Sequence, residues 1–340
     1  MANLFPALIR ATPHYALPEL MVQFQQPSAF GIVLAGGAPM SRLGAGDLFV
    51  YAKGIRLRTQ AAASQVAHNQ LPTVTMSAEQ VQTPTYLFRS RAEYDHHDTQ
   101  QASVWDVALP QGQRLGMRQA IFQQLRAAAL FGMGNAGEGI ANTPGATSAN
   151  LPTDPYGNST VSTYDNGAMA QYILTVVGAL QTRLMLIGSP ARIAILAPQR
   201  ILSQWTFSGI VQLTQFQRTG AGVASVTEMI EDVAKRFGCT VEWGCDDTLI
   251  GAGAGGNDLV IIAAPELRKP EAQSQINTNE FANLQPGLLS AGLMLCDQAA
   301  PREIPTPLPA GATDVVSEMR STPGWGLRPE AFTLISMQFS

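Results

Sequence analysis

Positive charge is thin in this sequence. Lysine occurs only at Lys53, Lys235 and Lys269, and all charged residues together make up 14% of 340 positions, with a net charge of −4. Charged residues usually approach a quarter of a globular chain. This argues against a surface built mainly to grip nucleic acid or an anionic membrane through its phosphates, and any contact with DNA is expected to be weak. Arginine supplies the rest of the positive charge. It stays charged when partly desolvated and pairs bidentately with carboxylates, which suits contacts between subunits.

Cysteine is almost as scarce. Cys239, Cys245 and Cys296 form an odd set without C-x-x-C spacing, so neither a disulfide framework nor a zinc site is indicated and all three read as ordinary thiols. No run of about eighteen apolar residues occurs, and the opening MANLFPALIRATPHYALPEL has neither a signal-peptide core nor a small-residue cleavage site. A soluble protein made in the cytoplasm, with no membrane role, is expected. Also missing are a G-x-S-x-G elbow, a Walker lysine and H-E-x-x-H.

Apolar residues, by contrast, make up 46% of the chain. With so few charges, an unusual share of the surface must be neutral or apolar, which points to burial against other chains.

Residues 1–45 are rich in Pro, Gln, Gly and Ala and keep no period, so they read as an extended arm that must lie along its own body or a neighbour. From 46 to 109 the reading is β: DLFVYAKGIRLRTQ and TPTYLFRSRAEYDHHD carry aromatic and branched residues at alternate positions, separated by the polar AAASQVAHNQLPT. A helix is predicted over 113–131, with Met117, Ile121, Leu125 and Ala128 on one face, Phe122 and Ala129 beside them, and Gly132 as its left-handed stop. A second helix is predicted over 166–187 with a stripe of Met169, Ile173, Val176, Leu180 and Leu184. The strand ARIAILAP follows. A third helix opens at the capping box Ser225-Val226-Thr227-Glu228, buries Val226, Ile230, Val233 and Phe237, and stops at Gly238. CTVEW and DLVIIAA read as strands, residues 265–325 show little periodicity, and FTLISMQFS closes the chain as a strand.

Two glycine clusters invite a nucleotide. Gly132, Gly134 and Gly137 in GMGNAGEG fit G-x-G-x-x-G, as do Gly251, Gly253 and Gly256 in GAGAGG. The dinucleotide fingerprint needs a strand before the glycines and a helix directly after them. The first cluster instead follows a helix and precedes turn-rich sequence; the second lies between strands. Both read as caps and flexible loops needing positive φ.

Asp95, His96, His97 and Asp98 in EYDHHD are possible metal ligands. Neighbours on a strand point to opposite faces, and only His14 and His68 remain as further imidazoles, so a solvated polar loop is the better reading. Cys239 opens a buried strand and gives no evidence of a nucleophile. Asp246 and Asp247 suit a turn better than a weak cation site. No catalytic, cofactor-binding or metal residue is assigned, and no cofactor is implied.

The order of parts, with GMGNAGEGIAN after a long helix and AILAPQRILSQW after a second, resembles the major capsid proteins of tailed double-stranded DNA bacteriophages. Gly139, Ile140 and Asn142 stand in a G-[IL]-x-N-like segment of that family. The resemblance implies an α+β, Hong Kong 97-like fold. Residues 1–45 would be the N-terminal arm and 46–80 an extended loop over a neighbour. Residues 81–200, with the spine helix 113–131, would form a peripheral domain, 201–325 an axial domain, and 326–340 a strand returning to the peripheral domain.

It further implies a structural protein rather than an enzyme. Hexamers and pentamers of one chain would close an icosahedral shell around double-stranded DNA without sequence-specific binding. Such a shell would be assembled in the bacterial cytoplasm and located in the virion. Separate scaffolding, portal and decoration proteins are the expected partners. No charged helical leader precedes the arm, so an uncleaved chain is expected. Lys53 alone gives little basis for the isopeptide cross-link that some relatives form. The rival readings are an encapsulin-like compartment with a groove for a cargo peptide, and a nucleotide enzyme using the glycine loops.

Overall fold

The computed structural model describes residues 28–58, 75–104, 107–184, 189–206, 225–268, 288–326 and 328–340. Residues 1–27 of the expected arm and the polar stretch 61–73 lie outside them.

From Ser28 onward the arm is part of its own subunit. Two single 3-10 turns, Phe30–Val33 and Ala35–Gly37, bury Val33, Leu34 and Ala35 in a core that later segments supply. Glycine makes the room. A Cβ on Gly292 would stand 2.7 Å from the Val33 carbonyl oxygen, and one on Gly244 2.5 Å from Ile32 Cδ1.

Strand β1 (Ser41–Arg42) precedes β2 (Phe49–Arg58) and β3 (Thr75–Pro84). These last two pair antiparallel at every position from Phe49↔Pro84 to Arg58↔Thr75, and among the described residues they pair only with each other. The expected β excursion is therefore this hairpin. Strand β4 (Tyr86–Tyr94) follows, but EYDHHD does not continue it, because helix α1 (His96–Val104) starts there. The Asp95 carboxylate accepts the Asp98 N–H at 2.7 Å and the Asp98 carboxylate accepts the Asp95 N–H at 3.3 Å, a reciprocal cap that opens a helix.

Helix α2 (Leu109–Phe131) begins before the expected residue 113, with Pro110 in its first turn where a missing N–H costs nothing. Met117, Ile121, Leu125, Ala128 and Ala129 are buried, whereas Phe122 is 46% exposed. Strand β5 (Thr147–Asn150) and helix α3 (Asn166–Leu184) come next. Helix α3 buries Met169, Ile173, Leu180 and Leu184 as expected, with Val177 rather than Val176 in the stripe.

Strand β6 (Ser189–Ala197), helix α4 (Gln199–Thr206) and helix α5 (Val226–Arg236) follow. Helix α5 opens on the capping box: Ser225 Oγ accepts the Glu228 N–H at 3.2 Å and the Glu228 carboxylate accepts the Ser225 N–H at 2.9 Å. It buries Val226, Ile230 and Ala234. Phe237, expected in that stripe, is 68% exposed. The helix ends at Arg236, and Phe237 at φ −90°, ψ 7° leaves the helical path before its side chain can reach the core.

Strands β7 (Thr240–Cys245) and β8 (Asp258–Arg268) complete this region. The stretch expected to lack regular structure holds β9 (Leu288–Ser290), β10 (Leu293–Met294), β11 (Cys296–Asp297), β12 (Arg302–Pro307), β13 (Thr313–Ser321) and β14 (Trp325–Gly326). Alternation in β13 is real, with Val315, Ser317, Met319 and Ser321 inward. Two serines at inward positions hide it from a hydrophobicity reading. Strand β15 (Phe332–Met337) ends the chain as expected.

Two sheets organise these elements. The larger runs β5-β15-β8-β6-β7, with β9 also paired to β8. One face of it, with Ile193, Ile195, Val260, Ile262 and Ile335, packs with residues of α3, α4 and α5. The other, with Leu196, Leu259, Ile261 and Leu334, shares a core with Ile121, Leu125 and Ala128 of α2. Burial on both faces explains why DLVIIAA is continuously apolar instead of alternating. In the second sheet β13 lies between β4 and β12, with β11 and β1 beyond. Its inward Phe88 and Met319 join the same α2 core.

Strand pairing crosses the sequence-based division at residue 200. Strand β6 pairs with β7 and β8, and β4 with β13.

Candidate assembly surfaces

The first glycine cluster closes helix α2. Gly132, at φ 77°, donates its N–H to the Ala128 carbonyl at 3.0 Å. Gly139, at φ 80°, donates to the Gly324 carbonyl at 2.6 Å. Between them Glu138 folds its carboxylate back over the turn, accepting the Met133 N–H at 3.0 Å, the Tyr86 hydroxyl at 2.8 Å and Asn135 Nδ2 at 3.0 Å. Burial pushes this carboxyl up, but the hydrogen bonds from Asn135, the Met133 N–H and Tyr86 outweigh it and hold it below the ordinary carboxylate value. Tyr86 is pushed up, first by burial and then by its bond to Glu138.

The loop thus holds an anion of its own. It also lies at the negative end of a helix dipole, the wrong end for a phosphate. Only the 3-10 turn Ile140–Asn142 follows it. Ile140 is fully buried, and Asn142 Nδ2 donates to the Phe131 carbonyl at 2.7 Å, satisfying one of the last helix carbonyls.

The second cluster is fastened rather than flexible. The Gly251 N–H donates to Asp258 at 3.1 Å, the Gly253 N–H to the Asn257 carbonyl at 2.7 Å and the Ala254 N–H to Ser336 Oγ at 2.8 Å. Asp258 is held in turn by Arg200 at 2.7 and 2.5 Å. The glycines are needed because backbone approaches backbone: a Cβ on Gly253 would stand 2.9 Å from the Asp258 carbonyl oxygen. Strand β8, not a helix, comes after them.

Asp246 and Asp247 make a turn with longer reach than sequence implied. Asp246 is fully buried and accepts the Thr248 N–H at 3.0 Å, while Ser28 Oγ, 218 positions away in sequence, donates to it at 2.5 Å. Arg126 of α2 stands 3.9 Å from the same carboxylate. Asp247 accepts the Gln199 N–H at 2.8 Å, at the start of α4. Nothing local marks this knot, since its partners come from three distant segments.

The His96 and His97 rings lie 3.8 Å apart between centroids, tilted by 40°, at the start of α1. Among the described residues no three His, Cys, Asp or Glu are placed to hold a metal ion. Cys239 and Cys296 are buried, and burial raises the pKa of all three thiols. Among the described residues no helix is long and apolar enough to cross a membrane.

The surfaces that ask for cover lie elsewhere. A two-stranded hairpin alone is marginal in water, yet β2 and its approach expose Leu48, Phe49 and Tyr51. Its base is clamped by Arg320 of β13, which donates to the Ala45 carbonyl at 3.0 Å, the Asp47 carbonyl at 3.2 Å and Thr85 Oγ1 at 2.9 Å. Tyr86, next in sequence, is held by Glu138, so the hairpin's exit is tied to both β13 and the end of α2. Phe237 and Tyr156 add isolated exposed aromatics. Many arginines pair within the subunit: Arg89 with Glu318 at 3.3 Å, Arg91 with Asp314 at 2.9 Å, and Arg114 and Arg118 with Glu303 at 3.3 and 2.8 Å.

The sequence matches no protein-family model and no curated protein. The fold does have relatives. A chain from the capsid of Myoviridae phage XM1 superposes with a TM-score of 0.67 at 12% identity, over 97% of this chain and 99% of that one. The chain has the Hong Kong 97-like capsid fold. A chain from the capsid of cyanophage P-SCSP1u superposes with a TM-score of 0.55 at 12% identity, over 97% and 94% of the two chains. One from the capsid of an empty GTA particle computed with C5 symmetry gives 0.56 at 9%, over 96% and 95%.

At identities of 9–12% the fold is shared with little residue identity. Within it, sequence reasoning found the α2 stop and the α5 cap. It missed the Glu138, Asp246 and Arg320 contacts, whose partners are non-local.

Proposed function

We propose that this chain is a structural shell protein, the major capsid subunit of a tailed-phage-type particle, which self-assembles as hexamers and pentamers into an icosahedral shell around double-stranded DNA. The observation that carries the reading is the near-complete overlap with chains from phage capsids. The β2–β3 hairpin, which among the described residues pairs with no further strand and exposes Phe49 and Tyr51, supports it, as a surface that a neighbouring subunit would cover.

In this reading the β2–β3 hairpin is the extended loop and α2 the spine. The sheet of β4, β13, β12 and β11 belongs to the peripheral domain, and the sheet of β5, β15, β8, β6 and β7, with α3 to α5, to the axial domain. These limits follow strand pairing and so differ from the division at 200 and 325. Ring closure needs heterologous contacts, and arm and loop exchange multiplies weak contacts over the shell. A mildly acidic wall would not hold packaged DNA tightly. Assembly takes place in the host cytoplasm, with scaffolding, portal and decoration proteins as separate partners.

Electron microscopy of negatively stained protein, with light scattering, tests the proposal on the chain expressed alone and with its neighbouring genes. Closed shells, or rings of five and six, are expected. A uniform dimer or tetramer under all conditions would overturn it. Terminase and portal genes beside this one would separate a phage shell from an encapsulin-like compartment.

A further inference from the structure

Burial changes abruptly along the arm at Gly36. Val33, Leu34 and Ala35 are buried, and Leu34 forms an isolated parallel bridge with Leu293. From Gly36 to Phe49 every residue is exposed except Pro39 and Leu43, which are half-buried. Within that stretch little holds β1 to the body. Among the described residues it pairs only with β11, through Ser41↔Cys296 and Arg42↔Asp297. The Met40 N–H donates to the Leu295 carbonyl and the Leu43 N–H to the Asp297 carbonyl, both at 2.8 Å. One ion pair is added, between Asp297 and Arg42, whose side chain is 59% exposed. A pair with one partner largely in water contributes little.

Both ends of the stretch are anchored, and both carry glycines. Gly36 and Gly37, at φ 73° and 71°, follow the buried Ala35, and a Cβ on either would meet nothing within 4 Å, so no packing restrains them. At the other end Gly44 and Gly46 flank Ala45, whose carbonyl Arg320 holds. Glycine absorbs backbone rotation at low steric cost, which suits a hinge. Strand β11 has other support than β1. The Thr322 N–H donates to the Cys296 carbonyl and the Cys296 N–H to Thr322 Oγ1, both at 2.9 Å.

We propose that residues 36–44 are a strap that opens as a unit from β11 while the subunit stays folded, with Gly36 and Gly37 as its hinge and the Arg42–Asp297 pair as its latch. Such local opening needs far less free energy than global unfolding, because few apolar contacts are broken. Opening uncovers Cys296. It also takes Leu43 off the small cluster of Ala35, Met294, Cys296 and Trp325, on which Val50 and Ala52 of the hairpin rest as well. The hairpin root therefore loosens each time the strap lifts. The proposal does not depend on the shell reading.

The test follows alkylation of the native thiols in the full chain without denaturant, read by mass spectrometry. Cys296 is expected to react at least about tenfold faster than Cys239, which is buried in the core shared by α3 and α5. Arg42→Gln should speed Cys296 several-fold more and leave the Cys239 rate unchanged. Equal rates for the two thiols, rising with urea in the same way, would mean that Cys296 is reached only through wider unfolding and would overturn the proposal. So would a Cys296 rate indifferent to Arg42→Gln.

A second variant, Ser41→Cys, places a thiol directly opposite Cys296. Oxidation by diamide, which takes up the two thiol hydrogens as the disulfide forms, pins the strap shut. Amide exchange over residues 49–52 and 81–84, paired at the hairpin base, should then be slower than in the reduced form. Equal exchange would show that the strap does not govern the hairpin root.

Discussion

Gly132 and Gly139 are packed backbone to backbone: a methyl group on Gly139 would stand 2.4 Å from the Gly132 nitrogen. Both also hold positive φ, at 77° and 80°. Gly139→Ala is therefore expected to lose more than the roughly 1–3 kcal/mol of a strained dihedral, because no backbone can give way. Its thermal midpoint should fall steeply, or the protein should fail to fold. Gly116→Ala is the contrast, in an open stretch of α2 with nothing within 4 Å, and should raise stability by about 0.5–1 kcal/mol. Calorimetry on both variants checks the pair.

Glu138→Gln keeps the shape of the turn and removes its charge. Loss of about 2 kcal/mol is expected at neutral pH, in the range for hydrogen bonds to a charged group. The folded pKa of Glu138 is depressed from 4.5, so its contribution is present above that value and disappears as pH falls through the folded pKa. Wild type and variant should thus converge in urea midpoint under strongly acidic conditions. A gap that stays constant down to pH ~2 would show that the charge is not what the turn uses.

Arg320→Ala should free the hairpin without unfolding the subunit. All three bonds of its guanidinium go to the hairpin base, two of them to backbone carbonyls. Amide exchange is expected to accelerate across β2 and β3 and to stay slow in β8, where both faces are buried. If the chain assembles into shells as proposed, those of this variant should be of uneven size, since the angle of the hairpin is no longer set.

Tyr51→Ser and Phe237→Ser alter exposed side chains, at 55% and 68% exposure. Each should change subunit stability by less than about 0.5 kcal/mol. If the chain forms shells as proposed and neighbours cover these aromatics, sedimentation should nonetheless show a loss of closed shells. Normal assembly of both variants would remove them from the contact surface.

Local pattern was legible where one segment carries its own physics. The Ser225 capping box, the i, i+4 stripes of α2 and α3 and the continuous apolar run of β8 all appear in the structure at or near their expected places. Errors arose where a neighbour decides. Phe237 fits the stripe of α5 only if the helix runs on, and β13 escapes notice because its inward positions include Ser317 and Ser321, polar residues that the fold buries completely. The glycine clusters were rightly denied a helix N-terminus, but their real tasks needed coordinates: one wraps the chain's own Glu138, the other ties β8 to β15.

By itself the sequence determined the three longer helices α2, α3 and α5, the strands β6, β7, β8 and β15, the lack of a charge pattern for gripping phosphates and the turns that end on glycine, because each of these depends on a few consecutive residues. Tertiary structure alone decided that Ser28, Arg126 and Asp246 meet, that α2 serves two sheets at once, and that a hairpin leaves the subunit with Arg320 at its root. Those contacts join segments far apart in the chain, and their energies depend on distances that no local spacing encodes.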